Sequence, residues 1–377
     1  MSGHVAIDEA FFAGLARPGV RGLRAYDPGH DLVALRGQSA PQPLVELGSN
    51  ENPLGPSPAA RTALLDAMHQ LHRYPDPSGG DLKRALAAHH GVSTTQLLLG
   101  NGSHELLMQF AQVFAGEDDE VVASQFGFAV YALAAQAVGA TLAQAPAFPP
   151  RHAMPRGHDL QAILAAVSPR TRIVYLANPN NPTGTWFGTD AFAAFMAEMP
   201  RDVLVVVDEA YADYVDAPDY ASALALLAAH PNLLVTRTFS KAHALAGLRV
   251  GYAIAHPGLV AVMERVRESF NVNSVGLAAA QAVLGDHEHL RWSVARNAHQ
   301  RELLASALRQ RGWFVHPSQT NFLLVEFGVE TTRIEHRLLE QGVVVRPMAG
   351  YGLPECLRIT VGEGGENRRL LSALDAT

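Results

Sequence analysis

One cysteine, Cys356, stands in 377 residues. A single thiol excludes an internal disulfide framework, and no paired-cysteine spacing of a zinc site occurs. Charge is also scarce: Asp, Glu, Lys and Arg make up 17% of the chain, the formal net charge is −7, and the charges are scattered. Such a chain lacks the basic face that nucleic acid or an anionic membrane surface would need, so neither is expected as a partner. No apolar run reaches the roughly 20 residues of a membrane-spanning helix. The stretch IDEAFFAGLA, residues 7–16, is interrupted by Asp8 and Glu9 and follows no basic region, unlike a secretory signal. These absences lead to the expectation of a cytoplasmic protein in a reducing compartment. A small anionic ligand would need a local basic pocket.

What is present is apolar material, 48% of the chain, in a length that favours two domains over one core. Short runs rich in Val, Ile and Leu cover Gln96–Leu99, Glu120–Ala123, Arg172–Ala177, Val203–Val207, Leu233–Thr236 and Val250–Ile254, each followed by turn residues and, in most cases, a helical pattern. Their hydrophobicity is continuous rather than alternating, which marks strands covered on both faces and therefore an α/β fold. Beyond about Glu264 the pattern changes. HLRWSVARNAHQRELLASALRQRGW predicts a long amphipathic helix, and NFLLVEF, GVVVRP and LRITVG predict short strands of a smaller α+β unit. Before residue 44, RPGVRGLRAYDPG reads as an arm or lid. The expected division is 1–43 as that arm, packing with the small domain, 44–265 as the large domain, and 266–377 as the small one.

The unusual polar residues cluster where the apolar runs end, which is where open parallel sheets bind ligands. GNGSHE, Gly100 to Glu105, opens a helical pattern, so its glycines and helix-start amides make a candidate phosphate cradle. The alternative is an ordinary glycine turn with a serine cap. NPNNPTG, Asn178 to Gly184, specifies a rigid loop that fixes amide side chains at a strand end. Asp208 emerges directly from an apolar run, where a carboxylate is costly unless it meets a positive partner, although it could instead cap the next helix. In TFSKAHALAGLRVG, Thr238 to Gly251, Lys241 lies among small uncharged neighbours that can keep its amine neutral and hence nucleophilic toward an aldehyde.

Pyridoxal phosphate has an aldehyde, a phosphate, a phenolic oxygen and a ring nitrogen, and each finds a complementary group. Lys241 would bond the aldehyde, and its freed amine would later shuttle the substrate proton. Asp208 would keep the ring nitrogen protonated, making the ring an electron sink. Asn181 and Tyr211 would reach the phenolic oxygen, and Phe128 would stack on the ring. Backbone donors at Gly102, Ser103 and His104, the hydroxyls of Ser240 and Thr238, and the charge of Arg249 would hold the phosphate.

These residues resemble the fold-type-I pyridoxal-phosphate aminotransferases, and closely the histidinol-phosphate aminotransferase family. The likeness covers nearly the whole chain in ordered motifs: SNENPLGPSP, RYPDP, GNGS, NPNNPTG, VVVDEAY, SKAHALAGLRVGY, NVNS, NFLLV and VRPMAGYGLPECLRITVG. It implies a large domain with a mostly parallel seven-stranded sheet between helices, a smaller α+β domain, and a homodimer with shared active sites. It further implies that Tyr74 reaches the cofactor phosphate of the neighbouring subunit and that Arg358 binds the carboxylate of amino-acid substrates. Arg346 would help bind a substrate phosphate, and Tyr26 of the arm and Asn52 would contact substrate. His104 departs from the acidic or amide residue usual after GNGS, and Phe126 and Gly127 from a pair more often PT. The implied reaction is transamination between L-histidinol phosphate and 2-oxoglutarate, giving imidazole acetol phosphate and L-glutamate in histidine biosynthesis by a ping-pong cycle. Its rivals are an aromatic amino-acid aminotransferase, a decarboxylase of a phosphorylated amino acid, and a non-catalytic cofactor-binding module. No metal is expected: HEH, His287 to His289, reads as a solvated helix face, and His89 and His90 as a helix end before Gly91.

Overall fold

A computed structural model describes residues 9–23, 29, 35 and 43–376. The larger sheet comprises β2 (Leu97–Gly100), β3 (Glu120–Ser124), β4 (Thr141–Ala145), β5 (Thr171–Ala177), β6 (Leu204–Asp208), β7 (Leu233–Thr238) and β8 (Gly251–Ala255), numbered after a short β1 at Val45–Glu46. Its seven strands lie in the order β2-β8-β7-β6-β5-β3-β4. All pairings from β7 through β4 are parallel, and β8 alone runs against its two neighbours.

The unbroken apolar runs have a direct cause in the packing. In β6, Val205 and Val207 enter one core while Val206 enters the core on the opposite face; in β5, Val174 and Leu176 oppose Ile173 and Tyr175 in the same way. Side chains alternate, but both faces are covered, so no polar residue interrupts the run. The exception is β4, TLAQA, an edge strand with exposed positions, which apolarity alone does not reveal.

The smaller unit carries β9 (Phe314–Val315), β10 (Phe322–Glu326), β12 (Arg346–Pro347) and β13 (Cys356–Thr360) in one antiparallel sheet, order β12-β13-β10-β9. The helices His287–Gln310, Thr331–Glu340 and Gly364–Asp375 contribute to its core. The expected boundary at 265 does not coincide with this packing. Helix Ser274–Gly285 places Ala279, Ala280, Val283 and Leu284 in the core of the larger unit, against the helices Pro58–Met68 and Gly80–His90. Conversely, Val45 and Leu47 belong to the smaller core, and β1 pairs with β11 (Val343–Val344). The short helix Pro18–Arg21 packs on helix Ala129–Val138 of the larger unit, where a side chain at Gly19 would collide with Gln136 and Gly139, while Gly29 of the same arm lies against Arg346 of the smaller unit. Tyr26 lies outside the described residues. Helix Gly80–His90 ends as expected, with Gly91 in the left-handed region at φ 67. No helix among the described residues is long and apolar enough to cross a membrane.

Candidate active site

The ends of β2, β5, β6 and β7 open on a cavity of about 440 Å³. Lys241, Asp208, Asn181, Tyr211 and Phe128 line it, together with Ser103, His104, Thr238, Ser240 and Arg249 at one end and Arg346 and Arg358 at the other. A larger cavity of about 690 Å³ adjoins it across Phe128 and Arg346, but neither Lys241 nor Asp208 lines that space.

The Asn178–Gly184 loop uses its asparagines unequally. Asn178 exchanges two hydrogen bonds of 3.1 Å with the backbone of Phe187, and Asn180 donates to Phe126 O at 2.9 Å and to Thr183 Oγ1 at 2.8 Å. Those two amides shape the loop and leave Asn181 to face the cavity.

Asp208, the last residue of β6, is only 5% exposed. Thr236 Oγ1 and the Ala210 amide donate to its Oδ1 at 3.1 and 3.2 Å, and Tyr131 OH donates to Oδ2 at 3.4 Å. Burial outweighs these donors and pushes its pKa up to about 6. Tyr131, stacked on Tyr175 at 4.9 Å, therefore supports the carboxylate from below. Sequence reasoning passed over it because it reads as one more apolar position on a helix.

Lys241 follows β7. Its Nζ donates to the carbonyls of Asn50 and Ser49 at 3.2 and 3.4 Å, and burial, helped by the nearby Arg358 charge, pulls its pKa down to about 8. An amine with that pKa is still mostly protonated at pH 7, but about one-tenth of it is neutral, hundreds of times the fraction of an ordinary lysine. Asn50 was also missed. Its Nδ2 donates to Tyr211 OH at 2.9 Å, and its backbone sits at φ 56 against Lys241. Asn52, two residues on, is outside the cavity lining: its Nδ2 donates to Ala242 O and Ser293 Oγ at 3.0 and 2.9 Å, which is a structural role.

At the anion end, Gly102 precedes helix Ser103–Phe114 with φ 82, and a Cβ there would collide with the Arg249 guanidinium. A Cβ at Gly251 would likewise collide with the Ser103 amide. Two side-chain-free crossings thus lay a helix start directly against an arginine. Thr238 Oγ1 donates to Ser240 Oγ at 3.0 Å, and Arg249 Nη1 donates to Ser240 Oγ at 3.4 Å. Burial and, after it, the Arg249 charge lower the pKa of His104, which favours the neutral form of its imidazole.

At the other end, Arg346 of β12 and Arg358 of β13 are direct cross-strand partners. Arg358, 8% exposed, donates to Asn181 Oδ1 at 2.7 Å and to Gly48 O at 2.6 Å. Like charges placed opposite each other on one sheet face repel. Two guanidiniums facing one cavity in a chain of net charge −7 are therefore arranged for anions.

The sequence model of the family described as Aminotransferase class I and II matches residues 42–374. The chain belongs to that family. This aminotransferase is 45% identical to histidinol-phosphate aminotransferase 1 of Nitrosococcus oceani over 97% of its own length and 98% of the relative's. It is 47% identical to histidinol-phosphate aminotransferase 2 of Pseudomonas fluorescens, over 96% and 97%. The crystal structure of histidinol-phosphate aminotransferase from Sinorhizobium meliloti in complex with pyridoxal-5'-phosphate superposes with a TM-score of 0.85 at 31% identity, covering 95% and 96% of the two chains. The mostly parallel seven-stranded sheet is thus the fold-type-I sheet that the sequence resemblance implied. Tyr74 of this aminotransferase lies away from the cavity, 82% exposed and stacked on Phe270 at 4.7 Å.

Proposed function

We propose that this aminotransferase moves the amino group between L-histidinol phosphate and 2-oxoglutarate, giving imidazole acetol phosphate and L-glutamate, with pyridoxal 5'-phosphate as cofactor. The names of relatives at 45% and 47% identity support the substrate, and the liganded Sinorhizobium meliloti structure supports the cofactor. The observation that carries the reading is the Arg346–Arg358 pair facing the cavity of Lys241 and Asp208.

The donor set fits the cofactor. The glycine crossings at Gly102 and Gly251, the Ser103 and His104 amides, two hydroxyls and Arg249 match a phosphate monoester, for which a helix start supplies free amides. Asp208 has no arginine or lysine paired with it among the described residues, and its raised pKa is what a protonated ring nitrogen would relieve. Asn181 and Tyr211 would hold the phenolic oxygen, and Phe128 would lie against the ring. Bound there, pyridoxal phosphate supplies an aldehyde for amino groups and an electron sink for the carbon that loses its proton.

The rest is done by the chain's own residues. Lys241 Nζ, neutral in a useful fraction, takes the proton from the substrate carbon that loses nitrogen and, in the other half of the cycle, gives a proton to the keto-substrate carbon that gains it. Arg358 orients glutamate by its carboxylate, and Arg346 engages the phosphate of histidinol phosphate, so one cavity serves both substrates in turn. Asn50 holds Tyr211 by its hydroxyl and fixes the position of that ring. The same reading makes the enzyme a homodimer, in which Tyr74, exposed and outside its own chain's cavity, would act at the cofactor phosphate of the neighbouring subunit; its biosynthetic role, and not this geometry, favours the cytoplasm.

The test compares kcat/KM for histidinol phosphate with that for phenylalanine and tyrosine. The phosphorylated substrate is expected to be preferred, and Arg346→Ala should reduce its kcat/KM by about 10- to 100-fold, the worth of a charged hydrogen bond, while sparing phenylalanine. A preference for the aromatic acids, or equal losses on both substrates, would overturn the substrate assignment.

A further inference from the structure

Between β4 and helix Leu160–Ala165 the chain forms a strap, residues 146–159, that no sequence motif marks. It is stitched to itself by Phe148 N to Gly157 O and Arg156 N to Phe148 O, both 3.0 Å. At one point it is anchored to the site: the amide of Ala177, which ends β5 just before the asparagine loop, donates to His158 Nε2 at 3.2 Å. Burial holds that imidazole down to about 4, so it stays neutral and able to accept.

Two residues earlier, Arg156 has a left-handed backbone at φ 59, which a non-glycine residue adopts only where its surroundings hold it. Its buried guanidinium bridges two carboxylates of the smaller unit, Glu326 and Glu355. Glu326 ends β10, and Glu355 immediately precedes β13. The two strands pair Glu326 with Cys356 and Leu324 with Arg358. Arg156 therefore closes the end of the ribbon on which Arg358, two residues past Cys356 and on the same face, points into the cavity.

Below the bridge, Phe126 of the larger unit packs with Leu324, Met348, Leu353 and Cys356 of the smaller one. His316, Glu326 and Cys356 lie within 4.8 Å of one another, a spacing that a metal would accept. Glu326, however, is already engaged by the Arg156 cation, and burial pushes the Cys356 thiol up to about 12, far from the thiolate that a metal binds. The cluster is thus a joint between the two units.

We propose that Arg156 is a positioning residue for substrate recognition: by bridging Glu326 and Glu355 it sets the placement of the β10–β13 ribbon over the larger unit, and with it the reach of Arg358. This rests on the reading of Arg358 as the carboxylate ligand. The planar fork of arginine holds two carboxylates at once, and a lysine cannot reproduce that geometry.

The experiment uses the holoenzyme with Arg156→Lys, Glu355→Gln and Arg358→Lys. It measures the Kd of succinate, a non-reacting dicarboxylate, by calorimetry, the KM and kcat for glutamate, and the melting temperature. Arg156→Lys is expected to raise succinate Kd and glutamate KM by about tenfold, the effect of a small misplacement, with kcat at saturation little changed. Glu355→Gln should move both in the same direction by less. A lower melting temperature with unchanged Kd and KM would overturn the proposal and leave Arg156 as a stability bridge. Should Arg156→Lys fail to fold, Glu355→Gln decides by the same criteria. If Arg358→Lys also leaves succinate binding unchanged, the carboxylate assignment fails and takes the inference with it. If Arg358→Lys weakens succinate and Arg156→Lys does not, the inference alone fails.

Discussion

The two ends of the cavity are built on different terms. At the cofactor end, Ser103, Asn181, Asp208 and Lys241 all sit at or just beyond the ends of strands in one sheet, so a rigid parallel framework delivers each of them separately. At the substrate end, Arg346 and Arg358 come from a two-residue strand and a five-residue strand, and face each other only because of a single pairing register. The first end is set by where strands stop. The second is set by how two short segments align, and by whatever holds the smaller unit in place.

That contrast is broken most severely by Lys241→Ala. Losing the base should reduce turnover by about 10²- to 10⁴-fold, while the arginine end keeps its affinity for succinate. An equal fall in succinate binding would show that the ends are not independent. A smaller effect, confined to the cofactor end, is expected for Asp208→Asn in cofactor-free protein. Burial raises the Asp208 pKa from 3.8 to about 6, so the folded state holds this proton more tightly than the unfolded chain. Its contribution to stability is therefore fully present below about pH 4 and is lost as pH rises toward 6, a difference on the order of 3 kcal/mol. The asparagine variant should be the more stable of the two above pH 6 and should match the wild type below pH 4, as read from denaturant midpoints. A wild type that gains stability over that interval would contradict the burial argument. Smallest is Asn52→Ala, expected to cost about 1 kcal/mol through its bonds to Ala242 and Ser293 and to leave glutamate KM unchanged. A raised KM would return Asn52 to the substrate end.

The same contrast explains what could be read in advance. Strands covered on both faces leave long apolar runs, so Asp208 and Lys241 stand out against them as soon as the run ends. Asn50 and Tyr131 do not stand out. Asn50 belongs to a segment whose partners, Tyr211, Thr360 and Asn321, are far away in the chain, and Tyr131 looks like any buried aromatic until its hydroxyl is seen against Asp208. The edge strand β4, with two of its five positions exposed, carries no continuous signal, and Val45 and Leu47 join the smaller core in and just after a two-residue strand that no periodicity marks. Arg156 is the extreme case, since its partners lie 170 and 199 residues ahead.

Because β8 runs against its neighbours, the connection from β7 does not leave the ligand end of the sheet: Thr238 and Gly251 face each other in register, and everything between them forms one closed loop. Lys241 and Arg249 are thus tied at both ends of the same short tether, and opening it would release the base and the phosphate cation together. A circular permutant cut anywhere between 239 and 250 should lose cofactor retention, whereas a cut in the exposed turn at Gly312, far from this tether, should be tolerated.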